Sequence, residues 1–281
     1  MLHPAIAPNR VAVITGGASG IGLATAQKFA EKGMRICLAD INEDELSAAK
    51  KTISTDVITV KTDVSKLEDV TELKNAVLDA FGEVSIVMNN AGVGGRGAGP
   101  WTGLDQWQRI LDTNLWGVIY GLQTFMPLLI DQEMEQGRPG AVICTGSKQG
   151  LTNPPGNSAY NVAKAGIRTA LEGVAHELRE ITDCGVTAHL LIPGWTYTGL
   201  TKKQFPEKPA AAWEPEQVAD QLLVQMSAGD FYIICPDNDV TVAMDQKRLQ
   251  WNTDDVIKNR PALSRWHPDF EEEFQQFMNP D

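Results

Sequence analysis

The chain has 281 residues, 43% hydrophobic and 21% charged, proportions ordinary for a soluble globular protein that buries its core without staples. Its net charge of -12 argues against tight binding to a nucleic-acid backbone or an anionic membrane, and no run is long enough to span a bilayer. The opening MLHPAIAPNR lacks the apolar core of a signal peptide, and the cysteines Cys37, Cys144, Cys184 and Cys235 are far apart, so a cytoplasmic protein with free thiols and no metal site is expected.

Seven short runs rich in Val or Ile follow in order: RVAVIT, MRICLAD, VITVKTD, VSIVMNN, GAVICTG, VTAHLLIPG and FYIIC. Most lie between longer segments with helical spacing, such as LATAQKFAEKG, which ends in the glycine expected just past a helix. Strands alternating with helices predict an α/β fold, a parallel sheet covered on both faces. The stretch PWTGLDQWQRILDTNLWGVIYGLQTFMPLL reads as one long helix after its opening turn, with Pro127 near its far end. No repeat or long linker interrupts this rhythm. One domain over residues 1–281 is therefore expected, with a core at about 10–235 and a helical extension at about 240–281.

The first chemical feature is TGGASGIG, Thr15 to Gly22, between the first strand and the first helix. Such a turn can offer backbone N–H groups and the positive end of a helix dipole to a phosphate, and glycines allow close approach. Taken alone, the loop could equally be a tight turn. Asp40 ends the second strand, 18 residues after Gly22, where an acid can hold a ribose diol and repel a 2′-phosphate. The competing role for Asp40 is a cap on the following helix. No Arg or Lys stands at Gly17, Ala18, Ser19, Ile41 or Asn42 to attract a 2′-phosphate, so NAD is expected rather than NADP.

TGGASGIG, NNAG (Asn89 to Gly92), Asn114, Ser147, YNVAK (Tyr160 to Lys164) and Pro193-Gly194 resemble, in order, the motif series of the short-chain dehydrogenase/reductase family. Ser147 stands 13 residues before Tyr160, as the family pattern has it. The resemblance covers about residues 10–235. It implies a Rossmann-type doubly wound sheet with seven strands in the order 3-2-1-4-5-6-7. It also implies nicotinamide-dependent oxidation of an alcohol or reduction of a carbonyl.

Within that frame NSAYNVAKAG gains a purpose. Residues at i and i+4 share one helix face, so Lys164 sits beside Tyr160. A nearby cation favours the phenolate, and moving a tyrosine from about 10 toward 7 takes roughly 4 kcal/mol. Tyr160 is thereby expected to fall in pKa and serve as general acid/base.

The resemblance assigns the remaining roles. Ser147 holds the substrate oxygen, Lys164 also binds the nicotinamide ribose, and Asn114 holds a water that links Lys164 to solvent. Gly16, Ser19, Gly20, Ile21 and Gly22 line the phosphate loop, with Asp40 and Ile41 at the adenosine ribose. Asp63 and Val64 match the adenine position, while Asn90, Ala91 and Gly92 pass under the ribose. Pro193, Gly194 and Thr198 flank the nicotinamide, and Thr196 stands where the family usually has Val or Ile, so either threonine could contact the carboxamide.

GVGGRGAGPW, KQGLTNPPGN and GWTYTGLTKKQFPEKPAAAW lie beyond the carboxyl ends of the strands and bring Trp101, Trp195, Tyr197, Phe205 and Trp213. Aromatics there fit a bulky apolar or aromatic secondary alcohol or ketone, unless they serve the core or an interface. His176 reads as a surface or packing residue. In the tail, PDFEEEFQQFMNPD sets Phe270, Phe274, Phe277 and Met278 at helical spacing. Such a helix needs a surface to cover: its own domain first, then a subunit neighbour or a pocket lid. A homo-oligomer is expected, a dimer ahead of a tetramer because this ending departs from the family's glycine-rich one. The alternatives are an NADP-dependent carbonyl reductase, an NAD-binding regulatory protein without turnover, and a lyase or epimerase that recycles its nicotinamide.

Overall fold

The computed structural model describes residues 1–95, 99–202 and 205–279. The first half runs β1 (Val11–Thr15), α1 (Gly20–Glu31), β2 (Arg35–Asp40), α2 (Glu43–Lys50), β3 (Val57–Lys61), α3 (Leu67–Phe81) and β4 (Ile86–Asn89). A long rod follows, α4 (Leu104–Leu111), a π-helical turn (Asp112–Trp116) and α5 (Gly117–Gln136). Then come β5 (Ala141–Thr145), α6 (Gln149–Thr152), α7 (Ser158–Glu180), β6 (Thr187–Ile192), α8 (Gly199–Lys202), α9 (Pro215–Ala228) and β7 (Tyr232–Ile234). The tail forms α10 (Val242–Ile257) and α11 (Glu271–Met278).

All seven strands are parallel, in the order β3-β2-β1-β4-β5-β6-β7, as the motif series implies. The two-residue side-chain period divides the core. Val11 and Val13 meet Leu73, Phe125 and Leu171 from α3, α5 and α7. Ala12 and Ile14 meet Phe29, Val218 and Leu222 from α1 and α9. A strand covered on both faces has no solvent side, hence the unbroken apolar runs. The order reverses between β1 and β4, so their loops diverge and open a crevice at the carboxyl ends. Gly33, just past α1, takes φ 79°, as its place after the helix predicts.

The long helix differs from its sequence reading at one point. It begins at Leu104 and includes Pro127, but its middle widens into the π turn, where the Gly117 N–H reaches the Asp112 carbonyl. The turn adds one residue to the spiral and carries Asn114 into the core, fully buried.

At the amino ends of the strands the opening segment is strapped under the sheet, with Ala5 and Ile6 buried. Ser85 Oγ donates to the Ala5 carbonyl at 2.9 Å. The Ala5 N–H donates to His3 Nδ1 at 3.2 Å, so His3 Nε2 carries the proton and donates to Thr187 Oγ1 at 3.1 Å. His189 Nδ1 donates to the Asp230 carbonyl at 2.8 Å, leaving its Nε2 to accept from Thr187 at 2.9 Å. This chain is complete only with both imidazoles neutral. Burial accordingly pulls His3 down to about 4 and lowers His189 as well. Alongside, Glu83 faces Arg10, Arg35 and Arg138 at 3.1, 3.6 and 3.5 Å. Gln132 brackets the Val84 backbone with bonds of 3.0 and 2.7 Å.

The tail builds a small core of its own. Trp251 of α10, 2% exposed, donates from Nε1 to Ser264 at 2.8 Å and lies under the Arg260 guanidinium at 3.9 Å. Phe274 and Phe277 of α11 each approach Trp251 at 5.3 Å between ring centres. Phe274 and Phe277 of the stripe thus cover α10, while Phe270 stands edge-on to His267; α10 in turn packs on α6, with Asn252 Nδ2 donating to the Leu151 carbonyl at 3.4 Å. Pro280 and Asp281, at the end of that stretch, lie outside the described residues.

Candidate active site

The glycine loop is held from below by three strand ends. Thr15 Oγ1 accepts from the N–H groups of Asn90 and Ala91 at 3.0 and 3.2 Å. The Asn90 amide donates to the Thr15 and Gly16 carbonyls at 3.1 and 3.3 Å and accepts from Thr145 Oγ1 at 3.1 Å. Gly16 takes φ 63°, and a Cβ there would lie 2.8 Å from Ala91 Cα, so a side chain is excluded on two counts. Ser19 precedes α1 in extended conformation, its side chain makes no capping bond, and the first turn from Gly20 through Gly22 carries no acid. The N-terminus of α1 thus faces the crevice with its dipole unanswered, which suits an anion.

Asp40 stands across from this loop. Its Oδ2 accepts from the Ala18 N–H at 3.3 Å and its Oδ1 from the Asn42 N–H at 3.1 Å. Asn42, not Asp40, caps α2, accepting from Asp44 and Glu45. Ile41 is 61% exposed, and Lys61, the register partner of Asp40 on β3, is paired with Glu43 at 2.9 Å. Asp63 accepts from the Ser65 N–H and hydroxyl at 3.1 and 2.6 Å. Val64 is buried under Gly117, where a Cβ would come within 2.8 Å of it.

Asn114 uses both edges of its amide on one residue. Its Oδ1 accepts from the Val93 N–H at 2.7 Å and its Nδ2 donates to the Val93 carbonyl at 2.9 Å. The side chain therefore anchors the segment after Gly92, a job distinct from the water-holding role that the family resemblance implies.

On α7, Tyr160 and Lys164 lie one turn apart, with the ammonium 5.6 Å from the tyrosine ring centre. Lys164 is 4% exposed and donates to the Thr145 carbonyl at 2.7 Å. Burial pulls it down to about 8, so it remains largely a cation at neutral pH. The effect expected on Tyr160 is reversed in the protein alone. Burial raises the phenol above its ordinary value, and a hydrogen bond with Ser147 only partly offsets this. Desolvation of the phenolate is the dominant cause, and spacing alone did not reveal it. Ser147 Oγ also accepts from the Gln149 N–H at 3.2 Å. Gly150 lets α6 close on α7, since a Cβ there would fall 2.6 Å from the Lys164 carbonyl carbon.

The loop after β6 completes the crevice. Pro193 is buried, and Thr196 is buried with its hydroxyl donated to the Gly194 carbonyl at 3.2 Å. Thr198 lies against the glycine loop, 3.3 Å from where a Gly20 Cβ would stand. Of the two threonines, Thr198 is the one facing the crevice. The rim aromatics divide. Trp195 and Phe205 form an edge-to-face pair at 5.4 Å. Tyr197 spends its hydroxyl on the Phe205 and Pro206 carbonyls, Trp213 packs on the core, and Trp101 is 88% exposed. Rim residues 96–98 and 203–204 lie outside the described residues. His176 is exposed, as expected.

Sequence reasoning missed three features. Thr145 joins Asn90 to Lys164, and its only signal was a polar residue ending an apolar strand. The π turn left no local signal in an otherwise helical run. The third is an ion cluster behind Ser147, in which Lys148 lies 2.6 Å from Asp245 of α10 and 3.5 Å from Asp237.

Comparison with known proteins agrees with this geometry. The family described as short chain dehydrogenase matches residues 10–209. A 3beta-hydroxysteroid dehydrogenase 2 of Eggerthella lenta is 33% identical over 203 residues, spanning 70% of this chain and 75% of that protein. The oxidoreductase asL5 of Sarocladium schorii is 36% identical over 201 residues, spanning 71% and 77%. A short-chain dehydrogenase/reductase from Burkholderia phymatum, solved in complex with NAD, superposes with a TM-score of 0.80 at 28% identity, covering 90% of this chain and 96% of that one. With the fold, the ordered motifs and the matched span in agreement, the chain belongs to the short-chain dehydrogenase/reductase family of oxidoreductases.

Proposed function

We propose that this protein interconverts a secondary alcohol and a ketone with NAD, using Tyr160 as general acid/base. One observation carries the reading: Tyr160 and Lys164 share a turn of α7, with Ser147 near enough to ease the tyrosine's ionisation, at the crevice that the uncapped α1 and Asp40 also face.

The residues suit the cofactor. The N–H groups at Gly20 to Gly22 would take the diphosphate, Asp40 the adenosine ribose diol, Lys164 the nicotinamide ribose and Thr198 the carboxamide. Asp40 opposes a 2′-phosphate, and exposed Ile41 offers none of the attraction that an arginine there would. A bound nicotinamide supplies the donor or acceptor of the hydride.

Each proton step belongs to the chain. For reduction, the protonated Tyr160 donates its O–H to the carbonyl oxygen while Ser147 hydrogen-bonds the same oxygen. The phenolate left behind faces the Lys164 ammonium. Burial keeps Tyr160 protonated in the free protein, so it is loaded as the acid. For oxidation the phenolate accepts the substrate proton, and the Lys164 cation together with the positive nicotinamide ring of bound oxidised NAD would favour that form against its desolvation. Asn114 acts by holding Val93 and the loop that flanks the crevice.

The apolar rim supports a bulky substrate. Trp195 and Phe205 pair edge to face, and Leu200 of the same segment approaches Gly94. The Eggerthella relative is named for a hydroxysteroid, a large apolar secondary alcohol. A panel of secondary alcohols and ketones, followed by NADH absorbance, tests the reading. Turnover with NAD far above that with NADP is expected, and Tyr160→Phe should keep its fold and NAD affinity while losing about 10²–10⁴-fold in rate. Equal use of both cofactors would sink the cofactor assignment, and a folded Tyr160→Phe protein with near-normal turnover would sink the mechanism.

A further inference from the structure

Lys148 follows Ser147 directly, and its surroundings are built from three separate parts of the chain. Its backbone N–H approaches the Pro193 carbonyl at 3.5 Å. Its ammonium reaches Asp245 Oδ2 at 2.6 Å and Asp237 Oδ2 at 3.5 Å. Asp237 Oδ2 also accepts from the Trp195 N–H at 3.3 Å, while its Oδ1 accepts from the Val240 N–H at 2.8 Å on the way into α10. Arg248, one turn further along α10, stands 3.7 Å from Asp245 Oδ1. Both aspartate side chains are 8% exposed and the lysine 17%. Gly194 closes the arrangement, for a Cβ there would fall 2.9 Å from both Asp237 Oδ2 and Lys148 Nζ.

Two carboxylates set around one buried lysine are a poor way to gain stability. Desolvation offsets most of the attraction, and an apolar pair of similar volume commonly serves the fold as well. What such a cluster does supply is fixed geometry, and this one joins two segments that must agree in position. One carries Ser147, and the other is the Gly194–Trp195 backbone beside the nicotinamide position.

We propose that Asp245 of the C-terminal extension is a positioning residue: by gripping Lys148 together with Asp237, it sets the Ser147 hydroxyl against Tyr160 and holds the Gly194–Trp195 backbone in register with it. The tail is thereby a working part of the active site and not only a cover for apolar surface. This rests on the reading of Ser147 and Tyr160 given above.

The test uses the full chain with its best alcohol substrate. Asp245→Asn removes the charge and keeps the shape. It should lower kcat on the order of 10- to 100-fold, as small misplacements of reacting groups do, with a smaller change in KM and in melting temperature. Asp245→Glu should restore part of the loss. In a Ser147→Ala background Asp245→Asn should cost clearly less than it does alone, because its effect through the Ser147 hydroxyl is already gone and only its hold on the Gly194–Trp195 backbone remains. Should Asp245→Asn not fold, Lys148→Met with Asp245→Leu replaces the ion pair by apolar side chains, and that protein should fold yet lose turnover comparably. A folded single or double variant with wild-type kcat, or an Asp245→Asn loss that adds in full to that of Ser147→Ala, overturns the proposal. Tyr160→Phe separates the two levels. If it abolishes turnover while Asp245→Asn does not, this proposal alone fails; if it keeps turnover, the reading of the site fails and the proposal with it.

Discussion

The two ends of the sheet use buried polar groups in opposite ways. Beneath the amino ends, Glu83 faces three arginines, Gln132 matches the Val84 backbone at both edges, and Thr187 joins two neutral histidines in one directed chain. At the carboxyl ends the charges are held at a cost. Lys164 is pulled down to about 8, Tyr160 is raised, and burial raises Asp245 despite Lys148 beside it. One end spends its polar groups on stability and the other on reactivity, in line with the stability–activity trade-off of many enzymes.

The largest test of that contrast is Lys164→Met. It should lose turnover by about 10²–10⁴-fold, since Tyr160 is left without its cation, yet melt no lower than the parent because a buried charge is removed. Stopped-flow rates and a thermal melt on one preparation decide it, and a marked fall in melting temperature would break the contrast.

Next, Glu83→Gln should act in the opposite sense. It strips one carboxylate from three arginines and should cost roughly 2–3 kcal/mol, at the low side for buried pairs because Arg35 and Arg138 reach water. Urea unfolding should register this while kcat per folded molecule stays unchanged.

A third test is pH. The folded-state pKa of His3 lies at about 4, below its unfolded value of 6.5. Stability tied to the neutral imidazole is therefore present above pH 6.5 and lost as pH falls from there toward 4. By pH 5 the loss should be about 1–2 kcal/mol. His3→Gln cannot titrate and should flatten that part of the stability profile. An unchanged slope would show that the strap does not respond to these imidazoles.

The smallest expected effect is on cofactor choice. Asp40→Ala should reduce the preference for NAD over NADP by about tenfold, the worth of one charge-assisted bond to a diol. Melting should hardly move, because Asn42 caps α2. An unchanged ratio of catalytic efficiencies would remove Asp40 from the ribose site.

How much of this was legible depends on the range of the interaction. The inner strands were readable because strands buried on both faces appear as apolar runs, the half-buried edge strands β3 and β7 because they keep short Val- and Ile-rich runs, and α7 because its face repeats at helical spacing. The glycine loop and the Tyr160–Lys164 pair were readable because their geometry lies within one turn or one loop. The Lys148–Asp245 contact bridges about a hundred residues, and nothing near Asp245 distinguishes it from a surface acid in the first turn of a helix. The same holds for His3 and His189, joined through Thr187. The direction of the Tyr160 shift was missed for another reason: spacing places the cation, but how far solvent is excluded emerges only from packing. Thr196 and Thr198 looked equivalent in sequence, and only the turn after β6 separates them.

The buried thiols give the molecule a built-in reporter. Cys37, Cys144 and Cys235 are fully buried, and burial pushes each up to about 12, so almost none is thiolate in the native state. Only Cys184 is partly exposed. A thiol-labelling reagent applied to the native protein should therefore mark one cysteine promptly and the other three only when their part of the sheet opens. Cys37 sits on β2, Cys144 on β5 and Cys235 just after β7. Mass spectrometry of the labelled peptides over time would thus read the opening of one flank, the centre and the opposite edge of the sheet separately, with no residue altered.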